Sequence, residues 1–378
     1  MKLFDIRKQP FEPRGTGPLR LVSLVPSTTE SLFALGRGDD LVGYTRFCVH
    51  PADQLSADKW IGGTKNPKIE QIIALHPDLV FANREENRAE DVAALEAAGV
   101  AVWVAEPRTV AEAVLDLRQT AMLVGRAARG TAWAVDIEKA LDALRDRALA
   151  SPRSVAYLIW HAPWMAAGKE SFIAALLAEA GLQVMAAGRY PELSLDEMRG
   201  ADGVMLSSEP FPFDARHRDE LIGAGVAAER VRRVDGEYLS WHGVRLAAGL
   251  RYLRELLDDW WPTLPRRRRY PDDYHRFAAL ARAGEYREAL LALEQVWDVE
   301  RSEFYAGLLQ LMVVLNQRES GMRPTRTLRR AYERLLPYAP RHAGLDVAAL
   351  CHDVAAALDN EGALPAIGLT WEGAVGRG

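Results

Sequence analysis

Residues 19–36 read LRLVSLVPSTTESLFALG, and the order of residue types in this stretch decides the fold class. Residues 19–25 form a short, mostly apolar run closed by Pro26, which is what a strand buried on both faces requires. Ser27 or Thr28 supplies a cap for a helix that runs through Leu35 and stops at Gly36. The unit then repeats outward along the chain. Strands are expected at 40–45, 79–82 and 100–104, and helices at 67–75 and 89–98. After Pro152, strands at 154–160, 182–185, 203–206 and 231–234 alternate with helices at 171–180, 194 onward, 215–222 and 242–261. Alternation of this kind predicts parallel sheets covered by helices.

Between the two repeats, residues 109–150 keep a helical period without proline, with Gly125 and Gly130 as weak points. A helix over 131–149 would run ~28 Å, the span of a small domain. It reads as a stiff connector, or as two ordinary helices kinked at Gly130. After Pro265 the pattern changes again. Helices are expected at 274–283, 286–297, 302–317, 325–336 and 345–358, punctuated by Gly284, Gly321, Pro324, Pro337 and Pro340, with no strand among them. The stretch after Asn360 is glycine-rich and reads as loose. The resulting division is an α/β lobe at 1–108, a connecting helix at 109–150, a second α/β lobe at 151–264 and a helical accessory domain at 265–378.

Composition limits the function. The 378 residues are 49% hydrophobic and 26% charged, with a formal net charge of −5, so a basic nucleic-acid footprint is absent overall. The run Arg266 to Arg269 reads as a solvated linker. Only two cysteines occur, too few for a disulfide framework at this length. The opening residues MKLFDIRKQPFEPRGTG lack an apolar signal segment, and no run is long enough for a membrane span. The expectation is therefore a cytoplasmic location, or a periplasmic or extracellular one if the start lies elsewhere.

In parallel α/β lobes, ligands bind at loops beyond the carboxyl ends of the strands. The candidates so placed are Ser27, Thr28, Arg46, Phe47, Trp60, Gly63, Asn83, Arg84 and Glu86 in the first lobe. In the second they are Trp160, His161, Trp164, Tyr190, Phe211, Tyr238, Trp241 and His242. Rings are concentrated in this set, and a ring-lined cleft with scattered polar groups suits a bulky ring-containing ligand. Cys48 and His50 form a Cys-x-His that could join His161 or His242 on a metal ion, or be a buried thiol and a polar loop histidine. No P-loop, His-Glu-x-x-His or paired Cys-x-x-Cys occurs, and no catalytic constellation is evident, so a binding protein rather than an enzyme is expected.

Several of these segments carry a family resemblance. LVSLVPSTTE (21–30), KIEQIIALHPDLV (68–80), the Asn83 loop and GKESF (168–172) resemble the receptors of vitamin B12 and siderophore ABC importers. FCVHP (47–51), WIGGTKN (60–66), LSSEPFPF (206–213) and DGEYLSWHGVRL (235–246) are similar to a leaderless branch described as cobalamin-binding. The resemblance implies two Rossmann-like lobes joined by one long helix, the class III periplasmic-binding-protein plan, followed here by a small all-α bundle. It implies a cobalamin or related corrinoid as ligand, with siderophore or heme next, and no obligatory cofactor. It also implies an ABC permease as partner, docked through Glu70 and Glu197. The last ~105 residues resemble a small helical family of uncharacterised function, through AGEYREALLALEQVW (283–297) and FYAGLLQLM (304–312). That family's Glu-Ala-His-Glu core reads Glu288-Ala289-Leu290-Leu291 here, so a structural or partner-binding role is expected. The rival readings are a metal-handling protein or enzyme built on Cys48 and His50, and an interaction scaffold whose helical domain recruits a protein.

Overall fold

The computed structural model describes residues 2–317, 324–359 and 367–371. The expected stop at Gly321 and most of the stretch from Asn360 onward lie outside these. The chain forms two compact units. One comprises Met1–Ile137 and Leu149–Pro265, the other Glu138–Ala148 and Arg266–Gly378.

The first unit opens with an antiparallel pair, β1 (Leu3–Phe4) and β2 (Pro10–Phe11). Its first lobe follows as β3 (Leu21–Ser23), α1 (Pro26–Ala34), β4 (Leu41–Tyr44), α2 (Ile69–Ala74), β5 (Leu79–Asn83), α3 (Ala89–Ala97) and β6 (Val102–Ala105). The four strands after the opening pair make a parallel sheet in the order β4-β3-β5-β6. Alternate residues of these strands enter different cores. Leu21, Leu79, Phe81 and Trp103 pack on one face. Val22, Val80, Ala82 and Val102 pack on the other. Both faces being covered explains why these strands read as unbroken apolar runs.

Two consecutive helices, α4 (Val110–Leu123) and α5 (Ala127–Arg145), come next. They meet at Gly125, whose φ of +66° is left-handed, and not at Gly130. Gly130 lies inside α5 for a packing reason: a Cβ there would stand 2.2 Å from the Cβ of Ala121 on α4.

The second lobe comprises β7 (Arg153–Trp160), β8 (Met165–Ala166), α6 (Phe172–Glu179), β9 (Leu182–Val184), α7 (Leu195–Gly200), β10 (Gly203–Ser207), α8 (Ala215–Gly223), β11 (Val231–Val234), α9 (Gly236–Ser240) and α10 (Leu246–Trp260). Here β7 pairs in parallel with β9 and β10, β11 pairs in parallel with β10, and β8 folds back antiparallel on the end of β7. Leaving β8 aside, the order is again second-first-third-fourth, so the lobes repeat one topology. The helix expected over 242–261 starts at Leu246, because α9 and a short 3-10 turn at Gly243–Arg245 occupy the residues before it.

The second unit is helical: α11 (Asp272–Ala283), α12 (Tyr286–Glu300), α13 (Glu303–Asn316), α14 (Thr325–Leu335) and α15 (Val347–Asp359). Between α14 and α15 a two-residue hairpin, β12 (Arg341–His342) and β13 (Leu345–Asp346), departs from the expectation of no strand. Ala343 and Gly344 both have positive φ, as a type I′ turn needs, and alanine at the first position hid the signal. Glu138 is buried in this unit and accepts from Ser302 Oγ at 2.7 Å and Tyr338 OH at 2.5 Å.

Gly130→Ala is expected to cost ~1–3 kcal/mol through overpacking against Ala121. Adding Ala121→Gly should recover most of that loss in urea unfolding. An unchanged midpoint for the single variant would contradict the close crossing.

Candidate functional site

The parallel strands of both lobes direct their carboxyl ends to one cavity of about 660 Å³. From the first lobe, Val25, Pro26 and Ser27 follow β3, Arg46, Phe47 and Val49 follow β4, Asn83, Glu85 and Glu86 end β5 and open its loop, and Pro107 follows β6. From the second, Tyr157 and Ile159 come from β7, Phe172 and Ile173 from the start of α6, and Tyr190 from the loop after β9. Glu209 and Pro210 follow β10, and Glu237, Ser240, Trp241 and His242 follow β11. Pro26 stands at the first position of α1, so the expected serine or threonine cap is absent, and Ser27 faces the cavity from the first turn. A larger and shallower hollow of about 770 Å³ lies among Arg153, Arg230, Arg232 and Trp261. It is lined by the second lobe alone.

The lobes touch on several sides of the cavity. Arg245 makes a bidentate pair with Glu30, both distances 2.8 Å. Nearby, the Val244 amide donates to Ser31 Oγ at 3.2 Å. Gly243, with φ +80°, permits this approach, since a Cβ there would meet Ser31 Oγ at 2.2 Å. On another side Arg189 reaches Glu106 at 3.1 Å and Glu85 at 3.3 Å, and Tyr190 OH donates to Glu85 at 3.2 Å. Burial opposes ionisation of Glu106, but the guanidiniums of Arg189 and Arg108 outweigh it and hold its pKa below the usual range. His50 Nε2 lies 2.7 Å from Glu237. At the back wall Asn83 Nδ2 stands 3.3 Å from His242 Nε2, which as acceptor fixes the imidazole's neutral form.

Four carboxyls line the cavity, those of Glu85, Glu86, Glu209 and Glu237, with the guanidinium of Arg46; Glu85 and Glu237 are paired with Arg189 and Arg245, while among the described residues no ion pair holds Glu86 or Glu209. Burial raises the pKa of Glu86, opposed by Lys65 and assisted by Glu85. Burial also raises that of Glu209, opposed by the Ser240 hydrogen bond and assisted by Glu237.

Of the expected ligand residues, Ser27, Arg46, Phe47, Asn83, Glu86, Tyr190, Trp241 and His242 share this cavity. The others lie elsewhere. Trp160, His161, Trp164 and Phe211 pack on one another and on Phe213 and His217, with centroids 4.5–5.9 Å apart. Tyr238 packs on Tyr252 and beneath Arg245, beside a separate hollow. Trp60 is exposed, and Arg84 points out to pair with Glu106 at 3.2 Å. Thr28 and Gly63 are absent from the lining; Gly63 lies against Phe47 and Asn66. Cys48 and His50 do not converge. The Cys48 sulfur is buried with Thr29 and Thr45 hydroxyls at 3.1 and 3.4 Å, and burial raises its pKa against those hydrogen bonds. Among the described residues no group of three or more His, Cys, Asp or Glu is placed to hold a metal ion. Glu70 and Glu197 are exposed in the first turns of α2 and α7. Glu197 Oε2 accepts from both the amide and the hydroxyl of Ser194, completing the expected capping box.

The set chosen from loops beyond the strand ends omitted Glu209, Glu237, Tyr157 and Phe172. The two glutamates stand in the SSEP and DGEY loops already known to follow strands, so loop position alone could have found them. Tyr157 sits within a strand and carried no such signal.

Residues 21–204 match the model of the periplasmic binding protein family. A vitamin B12-binding protein from Photorhabdus laumondii is 32% identical over 104 residues, 28% of this chain and 38% of that protein. One from Vibrio campbellii is 28% identical over 134 residues, 35% and 48% of the two chains. The chain thus spans less than half the length of these curated relatives. Among solved structures, the periplasmic heme-binding protein RhuT from Roseiflexus sp. RS-1 has a TM-score of 0.57 at 24% identity, over 65% of this chain and 99% of that one. The periplasmic vitamin B12 binding protein BtuF of Vibrio cholerae has 0.55 at 20% identity, over 64% and 98%. These similar proteins are named as binding proteins and not as enzymes. The α/β unit has their two-lobed fold.

Burial brings the His242 pKa down to about 4 from an ordinary 6.5. The unfolded chain therefore binds this proton more readily, and stability is lost as pH falls from about 6.5 towards about 4. An NMR titration should place the His242 midpoint near the lower value, and His242→Gln should flatten the acid side of the stability profile. A midpoint at the ordinary value would contradict the desolvation of this part-buried ring in the cavity wall.

Proposed function

Starting from a periplasmic-binding-protein-like unit, we propose that the cleft between its lobes binds a bulky, ring-containing metal chelate, a corrinoid first. The carrying observation is the cavity of about 660 Å³ between the lobes, with the rings of Phe47, Tyr190 and Trp241 open in its walls and the buried rings of Tyr157 and Phe172 among its lining. That volume falls within the ~300–1,000 Å³ usual for small-molecule sites. Rings offer flat apolar contact to a macrocycle, and polar groups at the rim take its substituents. The vitamin B12-binding relatives support the ligand class.

Glu70 and Glu197 are the proposed contacts to an ABC permease, as charge pairs that register such a complex. Their exposure supports this role, although the capping box already employs Glu197. Glu70→Ala with Glu197→Ala should weaken association with the cognate permease in detergent or nanodiscs; unchanged association would remove the assignment.

Titration of the purified protein with cyanocobalamin, hemin and a ferric siderophore, followed by tryptophan fluorescence, tests the ligand reading. Saturable corrinoid binding is expected, weakened roughly tenfold or more in Trp241→Ala, since a lost aromatic contact of ~1.4 kcal/mol is a factor of ten. No binding of any of the three at ~100 μM would overturn it.

A further inference from the structure

The carboxyls of the cavity differ in how they are partnered. Glu85 is held by Arg189 and Tyr190. Glu237 is held by His50 at 2.7 Å and Arg245 at 3.4 Å. Glu209 accepts from Ser240 Oγ at 2.8 Å. Glu86 stands apart: among the described residues its carboxyl has no hydrogen-bond partner, although it is part-buried in the cavity wall. Only the more distant charges of Lys65 and Glu85 act on it from its own lobe. From the facing lobe, Glu209 and Tyr190 lie within reach of its field. The Glu86 carboxyl is open to the cavity and part-exposed, so a ligand that displaces water from it must replace those hydrogen bonds with donors of its own. Glu86 and Glu209 also belong to different lobes, and the charge of Glu86 makes ionisation of Glu209 harder across the gap. An entering positive charge or a row of N–H donors would relieve that opposition, whereas a carboxylate would add to it.

Resting on the cleft reading above, we propose that Glu86 is a specificity-determining anchor that accepts an N–H or cationic group of the ligand and, with Glu209, excludes carboxylate-bearing macrocycles. The cavity thereby selects an amide-fringed, neutral or cationic metal chelate over an anionic one such as heme, whose propionates would face the glutamates. Arg46 is the opposing charge in the lining, its guanidinium over the Phe47 ring at 5.1 Å to the centroid, and it stands as one cation against the two carboxyls of Glu86 and Glu209.

The test uses the full chain with two probes, aquacyanocobinamide, which is cationic and fringed with amides, and hemin, which carries propionates. Isothermal titration of the wild type should show aquacyanocobinamide bound at least about tenfold more tightly than hemin. Glu86→Ala should weaken aquacyanocobinamide about tenfold or more, the size expected for losing a charge-assisted hydrogen bond. Glu86→Gln keeps the shape and an acceptor oxygen, and should narrow the gap by improving hemin. Circular dichroism confirms that the variants fold. An unchanged aquacyanocobinamide affinity in folded Glu86→Ala would overturn the anchor. Tight hemin binding by the wild type that is lost in Trp241→Ala would overturn the charge selection and leave the cleft reading standing. Failure of both probes to bind the wild type would overturn the cleft reading, and the anchor with it.

Discussion

Everything functional in the α/β unit depends on two parallel sheets aiming the carboxyl ends of their strands at the same space. In a parallel strand–helix repeat every loop that leaves a strand's carboxyl end emerges on one edge of the sheet. Repeating the topology and facing the edges together brings strand ends and loops of both lobes around one cavity. The approach of the lobes is fixed by a steric fact, the absence of a side chain at Gly243, where Ser31 Oγ occupies the space a Cβ would need. The Arg245–Glu30 pair beside it sets register.

The cavity wall combines two chemistries that seldom favour the same ligand. Rings supply apolar area, while carboxyls supply negative potential in a shielded space where interactions are less screened than in water. A flat macrocycle satisfies the first. The second divides macrocycles by the charge of their fringe. His242 adds a neutral imidazole and no positive charge, so the acidic bias of the wall stands.

The fold was legible in the sequence because burying a strand on both faces demands runs such as 19–25 and 79–82, and because glycines and prolines punctuate the helices. The site was legible only in part. Loop position after a strand correctly gathers the neighbourhood, but it does not say whether a ring faces the gap or its neighbours. Trp160, Trp164 and Phe211 satisfy one another in the second lobe, with Trp164 stacked parallel to Phe213 at 5.9 Å. Tyr157 entered the cavity wall from inside β7, where residues were read as core. The turn between α4 and α5 illustrates the same limit. Both Gly125 and Gly130 are weak helix formers, and only tertiary contact shows that the first supplies a left-handed turn and the second a close helix crossing.

Anomalous diffraction at the cobalt edge, from crystals grown with aquacyanocobinamide, bears on the central claim most directly. The expected result is one strong cobalt peak within the cavity, between the walls carrying Phe47 and Glu86 on one lobe and Tyr190 and Trp241 on the other. A peak outside that space, with the cavity empty at saturating ligand, would contradict the assignment of the cleft as the binding site.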